Sequence, residues 1–169
     1  MPVNISLPLI YLSVLLIILL LIVSFIGIQL ILNFEINSSI KKLTKKQQEK
    51  TISLDDSFKL GQLYLTKKMY DKAIEIFRLV LKSWNVEDVL GLGSLYNTIG
   101  FTYFTLNEYD FAIYYYEQAL KLLPEYIVAL NNLAFVYEKQ NLKKKAKEIY
   151  LNVLKIDPSN RLAKEKASM

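Results

Sequence analysis

The sequence predicts an all-α protein in which an N-terminal transmembrane helix precedes an α-solenoid of three antiparallel helical hairpins. Two observations indicate this fold. Residues 9–32 form an apolar run without a charged side chain, and residues 94–158 contain two copies of one pattern at an offset of 34 residues. We divide the chain into an anchor (1–34), a basic polar tether (35–53) and a repeat domain (54–169).

The N-terminal apolar run is long enough to cross a bilayer. At about 1.5 Å per residue, residues 9–32 exceed a hydrocarbon thickness of about 30 Å. The alternative is a cleaved secretory signal, but a signal has a basic start and a shorter apolar core, and no Lys or Arg precedes Leu9. A core helix of a soluble protein is disfavoured because the run has no polar face. We therefore expect an uncleaved single-pass anchor.

A basic segment follows the anchor and predicts its orientation. Its lysines are Lys41, Lys42, Lys45, Lys46 and Lys50. The positive-inside rule predicts that the C-terminal end of the anchor lies on the cytoplasm-like side of the membrane, which is the stromal side in a plastid. Two interpretations of these lysines stay open, namely binding of anionic lipid head groups and a solvated linker.

The repeat domain contains three copies of the tetratricopeptide repeat (TPR) pattern, in which an L-G-x-x-Y helix precedes an A-x-x-x-F helix and a Pro. The copy at 93–126 has Gly100, Tyr103, Ala112, Tyr116 and Pro124. The copy at 127–160 has Ala134, Tyr137, Ala146, Tyr150 and Pro158. The copy at 54–87 has Gly61, Tyr64, Ala73 and Phe77, without a closing Pro and 39 residues before the next.

The spacing of the pattern has a physical reason. Small residues stand where the two helices of a hairpin cross closely, and the aromatic residues fill the space around the crossing and between repeats. A single hairpin cannot bury its own apolar face, so about three must stack. A short polar helix at 161–169 is expected to cap the stack.

Helix boundaries follow from capping signals. Ser53 is expected to cap the first repeat helix, with Asp55 and Asp56 near the positive end of its dipole. Asn85 followed by Asp88 resembles a capping box, so the next helix is expected to start near Val86 and to absorb the five extra residues. The remaining predicted helices are 92–106, 110–122, 127–139 and 142–154.

Composition excludes several classes of function. The chain has no Cys and no His, so disulfides, zinc–cysteine sites and histidine chemistry are excluded. A net charge of +5, concentrated after the anchor, is too weak to predict nucleic-acid binding. No phosphate-binding loop, nucleophile elbow or dinucleotide fingerprint is present. We therefore expect no enzyme activity, no cofactor or metal, and no small-molecule substrate.

The concave face of the stack is the predicted binding site. The first helix of each repeat lines this face, where Asn amides can hydrogen-bond an extended peptide and Phe rings can anchor apolar side chains. The alternative is that these aromatic residues pack partly between repeats. The predicted groove residues are Phe58, Gln62, Asn97, Phe101, Phe104, Asn131, Asn132 and Phe135.

Three further features qualify this prediction. The positions that form a two-carboxylate clamp for chaperone C-termini in some TPR domains lack the required positive charges, so that partner class is rejected. Those positions hold Phe58, Gln62, Thr98, Val128 and Asn132.

One of Tyr114 and Tyr115 is expected to reach the convex surface, either as a second contact site or in packing. Residues 143–145 are three lysines, which form either a solvated face or a site for an acidic partner.

The order of one span, a basic tether and three repeats resembles the membrane-anchored TPR proteins of plastids and cyanobacteria that are linked to photosystem I assembly. Abundant Lys, Ile, Asn and Tyr fit an algal plastid protein. The resemblance implies a thylakoid location with the repeats in the stroma. It also implies an assembly or stability factor whose partners are photosystem I subunits or other assembly factors. The alternative is a membrane-tethered adaptor in a bacterial envelope, acting in secretion, division or outer-membrane assembly.

Overall fold

The computed structural model describes residues 7–168, which form eight α-helices and no strand. This confirms the predicted all-α fold. The helices are α1 (Leu7–Gln48), α2 (Leu54–Thr66), α3 (Tyr70–Ser83), α4 (Val89–Thr105), α5 (Tyr109–Leu122), α6 (Ile127–Lys139), α7 (Lys143–Ile156) and α8 (Arg161–Ala167). Three hairpins, α2–α3, α4–α5 and α6–α7, stack in chain order, with α1 before them and α8 after them.

Small residues bring the two helices of each hairpin together. A Cβ added at Gly61 would lie 2.5 Å from the Phe77 ring, and one added at Gly100 would lie 2.8 Å from the Tyr116 ring. Both rings are almost fully buried. In the third hairpin Ala134 shares one buried cluster with Tyr150. The other small residues of the pattern are fully or almost fully buried, and they are Ala73, Ala112 and Ala146.

Helix α1 is longer than the predicted anchor. It runs for 42 residues, so the predicted tether at 35–53 is helical as far as Gln48. The reason is an apolar stripe at helical spacing, in which Ile40 and the buried Leu43 pack on the core of the first hairpin. No part of the apolar stretch of α1 is buried against the other described helices, and α1 is the one helix among residues 7–168 that is long and apolar enough to cross a membrane.

Polar contacts hold α1 antiparallel to α2. Lys46 Nζ donates to Asp56 Oδ2 at 2.7 Å, close to where the two helices join. This bond lowers the pKa of the Asp56 carboxyl. At the far end of α2, Lys67 Nζ donates to Asn33 Oδ1 at 3.1 Å. The register between the two helices is therefore fixed at both ends.

The segment between the first and second hairpins differs from its prediction. Asp88, not Asn85, caps α4 by accepting a hydrogen bond from the Gly91 N–H. The Asn85 side chain accepts from the Glu87 N–H and closes a turn, so the capping-box prediction is wrong and the helix starts three residues later. Part of the insertion still lengthens the helix, because α4 has 17 residues where α6 has 13.

The other capping signals behave as the sequence predicts. Ser53 caps α2 by accepting a hydrogen bond from the Asp56 N–H at 3.1 Å. Pro124 and Pro158 lie in the turns after α5 and α7. Helix α6 has the predicted bounds, and α8 caps the stack with Ala163 fully buried.

We expect Gly61→Ala to destabilise the first hairpin by about 1–3 kcal/mol, because the fully buried Phe77 ring cannot move away from the new methyl group. The control is Gly27→Ala, where an added Cβ has no atom within 4 Å. Denaturant unfolding of the full chain in detergent, followed by fluorescence of the single Trp84 in the first hairpin, measures both. Equal midpoints for the two variants would contradict the crossing argument.

A second substitution tests whether the end of α1 belongs to the repeat domain. Leu43→Ala should lower the free energy of unfolding by about 2–5 kcal/mol, because it removes a buried side chain from the first core cluster. Lys42→Ala, on the exposed face of α1, should have little effect. The same Trp84 fluorescence reports the result, and an unchanged midpoint for Leu43→Ala would show that α1 does not stabilise the repeats.

Candidate partner-binding groove

The first helices of the second and third repeats lie side by side and form one face. Asn132 Nδ2 of α6 donates to Asn97 Oδ1 of α4 at 3.0 Å. The rings of Phe104 and Phe135 pack with their centroids 5.4 Å apart. These two contacts join α4 to α6 directly, although the two helices are not consecutive in the chain. They define the surface on which the predicted groove residues can be placed.

Three repeat-equivalent positions form an exposed column on this surface. They are Gln62 of α2, Phe101 of α4 and Phe135 of α6. Phe101 is 43% exposed and Phe135 is 39% exposed, so each ring keeps a large open face. Partial exposure of two aromatic rings on one face gives a partner apolar anchor points at low conformational cost.

A second column of amides runs beside the rings. Asn97, Asn131 and Asn132 are half-buried, and the Asn97–Asn132 bond occupies one acceptor and one donor. Asn131 Oδ1 is buried without a hydrogen-bond partner within the described residues. An unpaired buried amide oxygen costs about 1–3 kcal/mol, so this position is not optimised for stability alone.

Two predicted groove residues have other surroundings. Phe58 packs into the first hairpin, with its ring 5.8 Å from Phe77 and 5.9 Å from Trp84. Phe58 is half-buried and packs against the core of the first hairpin, where Trp84 of the inserted segment lies beside it. Phe104 is half-buried between Phe135 and Tyr109, so it supports the exposed ring of Phe135 from below.

The structure adds two residues to the predicted groove residues. Val128 lies two turns before Phe135 on the same side of α6 and is 50% exposed. Lys139 Nζ lies 5.1 Å from the centroid of the Phe135 ring and forms a cation–π interaction with it. A single Val or Lys carries no repeat signal, although helical spacing from Phe135 would have indicated both.

A separate aromatic group joins α4 to α5. Tyr115 stacks on Tyr103 at 5.4 Å, and Tyr103 stacks on Phe111 at 5.1 Å. Tyr114 is 53% exposed, so it is the member of the pair that reaches the surface. Tyr115 is half-buried, and its burial raises the pKa of its hydroxyl.

The last repeat contains a basic cavity of about 450 Å³. Lysines of α7 and α8 line it, and its floor is Ala146 and Tyr150. Lys166 Nζ forms an ion pair with Glu138 Oε2 at 3.0 Å, which leaves the α7 lysines of the cavity unpaired among the described residues. The lining lysines are Lys143, Lys144, Lys147 and Lys166. Lys145 lies outside the cavity, with Nζ 5.2 Å from the centroid of the Tyr137 ring.

Comparisons with known proteins agree with this architecture. Models of the tetratricopeptide repeat match residues 56–125 and 103–167. These matches and the stacked hairpins define the class, which is a TPR protein built for binding other proteins.

Relatives define the family more closely. The chain is 42% identical over 163 residues to "Uncharacterized protein ycf37" of Guillardia theta, covering 96% of this chain and 92% of the relative. It is 31% identical over 136 residues to the "Tetratricopeptide repeat domain-containing protein PYG7, chloroplastic" of Arabidopsis thaliana, covering 80% of this chain and 45% of that longer protein. The chain belongs to the Ycf37 family of plastid and cyanobacterial TPR proteins.

A solved structure shows the same fold at low sequence identity. YrrB, described as "a TPR protein with an unusual peptide-binding site", aligns with a TM-score of 0.65 at 19% identity, covering 79% of this chain and 66% of that chain. This likeness shows that the hairpin stack described here is the TPR arrangement.

Alkaline pH should destabilise the last repeat through Tyr150. Burial raises the pKa of Tyr150 to about 12, against an ordinary value near 10. The unfolded chain loses this proton near pH 10 while the folded chain keeps it, so the stabilisation is complete below about pH 10 and is lost as the pH rises toward about 12.

We expect Tyr150→Phe to reduce the loss of unfolding free energy between about pH 9 and pH 11 by roughly 1 kcal/mol. Denaturant titrations at a series of pH values measure this slope for the wild-type chain and the variant. Parallel pH profiles for the two proteins would show that Tyr150 does not titrate differently on folding.

Proposed function

We propose that this protein is a membrane-anchored scaffold that assists the assembly or stability of photosystem I. The observation that carries the proposal is the face of α4 and α6, where exposed Phe101 and Phe135 lie beside a column of amides. Such a face suits a peptide or helix with apolar anchors. A TPR stack is a scaffold for protein interactions, so the protein acts by binding rather than by catalysis.

Membrane anchoring is supported by α1. Its apolar segment is about 36 Å long at the usual rise per residue, and the other residues of 7–168 do not bury it. A fully exposed apolar helix of this length is unstable in water but stable in a bilayer. The lysines after it favour the stromal side for the repeats.

The plastid setting is supported by the family, since PYG7 is described as chloroplastic. The link to photosystem I rests on the resemblance in layout, with one span followed by three repeats. An adaptor in a bacterial envelope has the same fold and groove. The Ycf37 relatives of algae favour the plastid scaffold over that alternative.

Anchoring explains how a groove of modest affinity can suffice. A span confines the repeats to the membrane surface and raises the effective concentration of partners that are confined there as well. The partner we propose is a stromal segment of an incoming photosystem I subunit or of another assembly factor. Its backbone carbonyls would accept from the side-chain N–H groups of Asn131 or Asn97, while its apolar side chains would lie against Phe101 and Phe135.

Capture from solubilised thylakoids tests the function. A tagged wild-type chain should retain photosystem I subunits, and Phe101→Ala with Phe135→Ala should reduce their recovery at least tenfold, because two central aromatic anchors each contribute about 1–2 kcal/mol. Quantitative mass spectrometry of the eluates measures the recovery. Circular dichroism should show the same helicity for both proteins.

The matched control is Phe111→Ala with Tyr114→Ala, which removes two exposed aromatic side chains of α5 that are not among the predicted groove residues. We expect this control to retain the partners. Capture of envelope or secretion proteins by the wild type would overturn the photosystem assignment and leave the scaffold. Undiminished capture by the folded groove variant would move the binding site away from the groove.

A further inference from the structure

We propose that the turn between α2 and α3 is a second membrane contact, in which Lys67, Lys68 and Lys72 bind anionic lipid head groups. This inference rests on the proposed span, because α1 then defines the plane of the membrane. Three observations support it. The register of α1 against α2 places the turn beside the end of the apolar run. The turn also differs in sequence from its two repeat equivalents.

The register brings the end of α2 back to the end of the span. Helix α2 runs antiparallel to α1 from the Lys46–Asp56 ion pair down to the Lys67–Asn33 hydrogen bond of 3.1 Å. Asn33 directly follows Leu32, the last residue of the apolar run. The α2–α3 turn is therefore at the height where the hydrocarbon ends.

The lysines of the predicted tether lie farther from the membrane than this turn. Helix α1 is continuous, so Lys41 lies about 12 Å beyond Asn33 along the helix axis. The head-group zone is only about 5–8 Å thick on each side of the hydrocarbon. Lys67 and Lys68 lie within that zone, whereas Lys41 and the lysines after it lie beyond it.

The first turn differs in chemistry from its two repeat equivalents. Its residues are Lys67-Lys68-Met69, where the later turns have Leu106-Asn107-Glu108 and Gln140-Asn141-Leu142. The middle residue of each turn is left-handed, with φ of 57°, 62° and 61°. Asn tolerates this conformation better than Lys does, so Lys68 is the less stable choice at a position that folding alone would fill with Asn.

The side chains around the turn suit a lipid surface. Lys68 and Lys72 are exposed, and Met69 is 37% exposed. Phe34 of α1, next to Asn33, is 75% exposed at the level of this turn. Two acids, Glu35 and Asp71, are at a similar level, and the three lysines outnumber them.

The absence of Cys allows the depth of the turn to be measured with single labels. We would attach an environment-sensitive fluorophore at Met69→Cys in the full chain, reconstituted in vesicles of phosphatidylcholine and phosphatidylglycerol. A lipid with a spin label on its head group should quench this fluorophore strongly. A label at Ser83→Cys, at the other end of α3, should be quenched little.

Charge variants test the role of the lysines. Lys68→Gln with Lys72→Gln should lower head-group partitioning of the turn at least about fivefold, since each lysine near an anionic surface contributes about that factor. Vesicles of phosphatidylcholine alone should have the same effect. The matched control, Lys121→Gln with Lys155→Gln, removes the same charge from the ends of α5 and α7 and should leave the quenching unchanged.

An alkaline wash of the same vesicles distinguishes a failure of the proposed span from a failure of the second membrane contact. Release of the wild-type chain by the wash would overturn the span and the proposed anchoring. A retained chain whose label at residue 69 is quenched no more than the label at residue 83 would overturn the second contact alone. Quenching that stays strong both in the Lys68→Gln, Lys72→Gln variant and in vesicles of phosphatidylcholine alone would overturn head-group binding.

Discussion

The close crossing of a small residue and an aromatic ring determines the architecture of the repeat domain. Gly61 faces Phe77 and Gly100 faces Tyr116 at distances that leave no room for a Cβ. Because each ring fills the space beside the small residue opposite it, the two helices of a hairpin have one favourable separation. Equal separations let successive hairpins stack in register, and this register aligns Gln62, Phe101 and Phe135 into a single exposed column.

The ends of the stack are closed by helices outside the three repeats. Every hairpin leaves one apolar side to be covered by a neighbour, so the terminal hairpins need caps. Helix α8 covers the last hairpin through the fully buried Ala163. The end of α1 covers the first hairpin through Leu43, so the helix proposed as an anchor is also part of the folded domain. Its packing on α2 ties the orientation of the groove to the direction of α1.

The repeat pattern predicts the hairpins, and two tertiary contacts made outside that pattern are missed. The offset of 34 residues locates the hairpins, the small residues and the exposed Phe101 and Phe135. It does not indicate the contact between Phe58 and Trp84, because Trp84 lies in an insertion without a repeat equivalent. It also predicts a separate polar tether where α1 continues to Gln48, because the apolar stripe through Ile40 and Leu43 is short and lies among lysines. In both cases a tertiary contact overrides the local pattern.

The rigid connection limits which partners the groove can reach. Helix α2 has 13 residues and is about 20 Å long, so with the proposed span the first repeat lies within about 20 Å of the head groups. A continuous helix, unlike a flexible tether, would not let the repeats move far from the membrane surface. The groove therefore favours a segment that emerges close to the bilayer, such as a loop or terminus next to another membrane span. This geometry selects partners by their height above the membrane before any side chain is recognised.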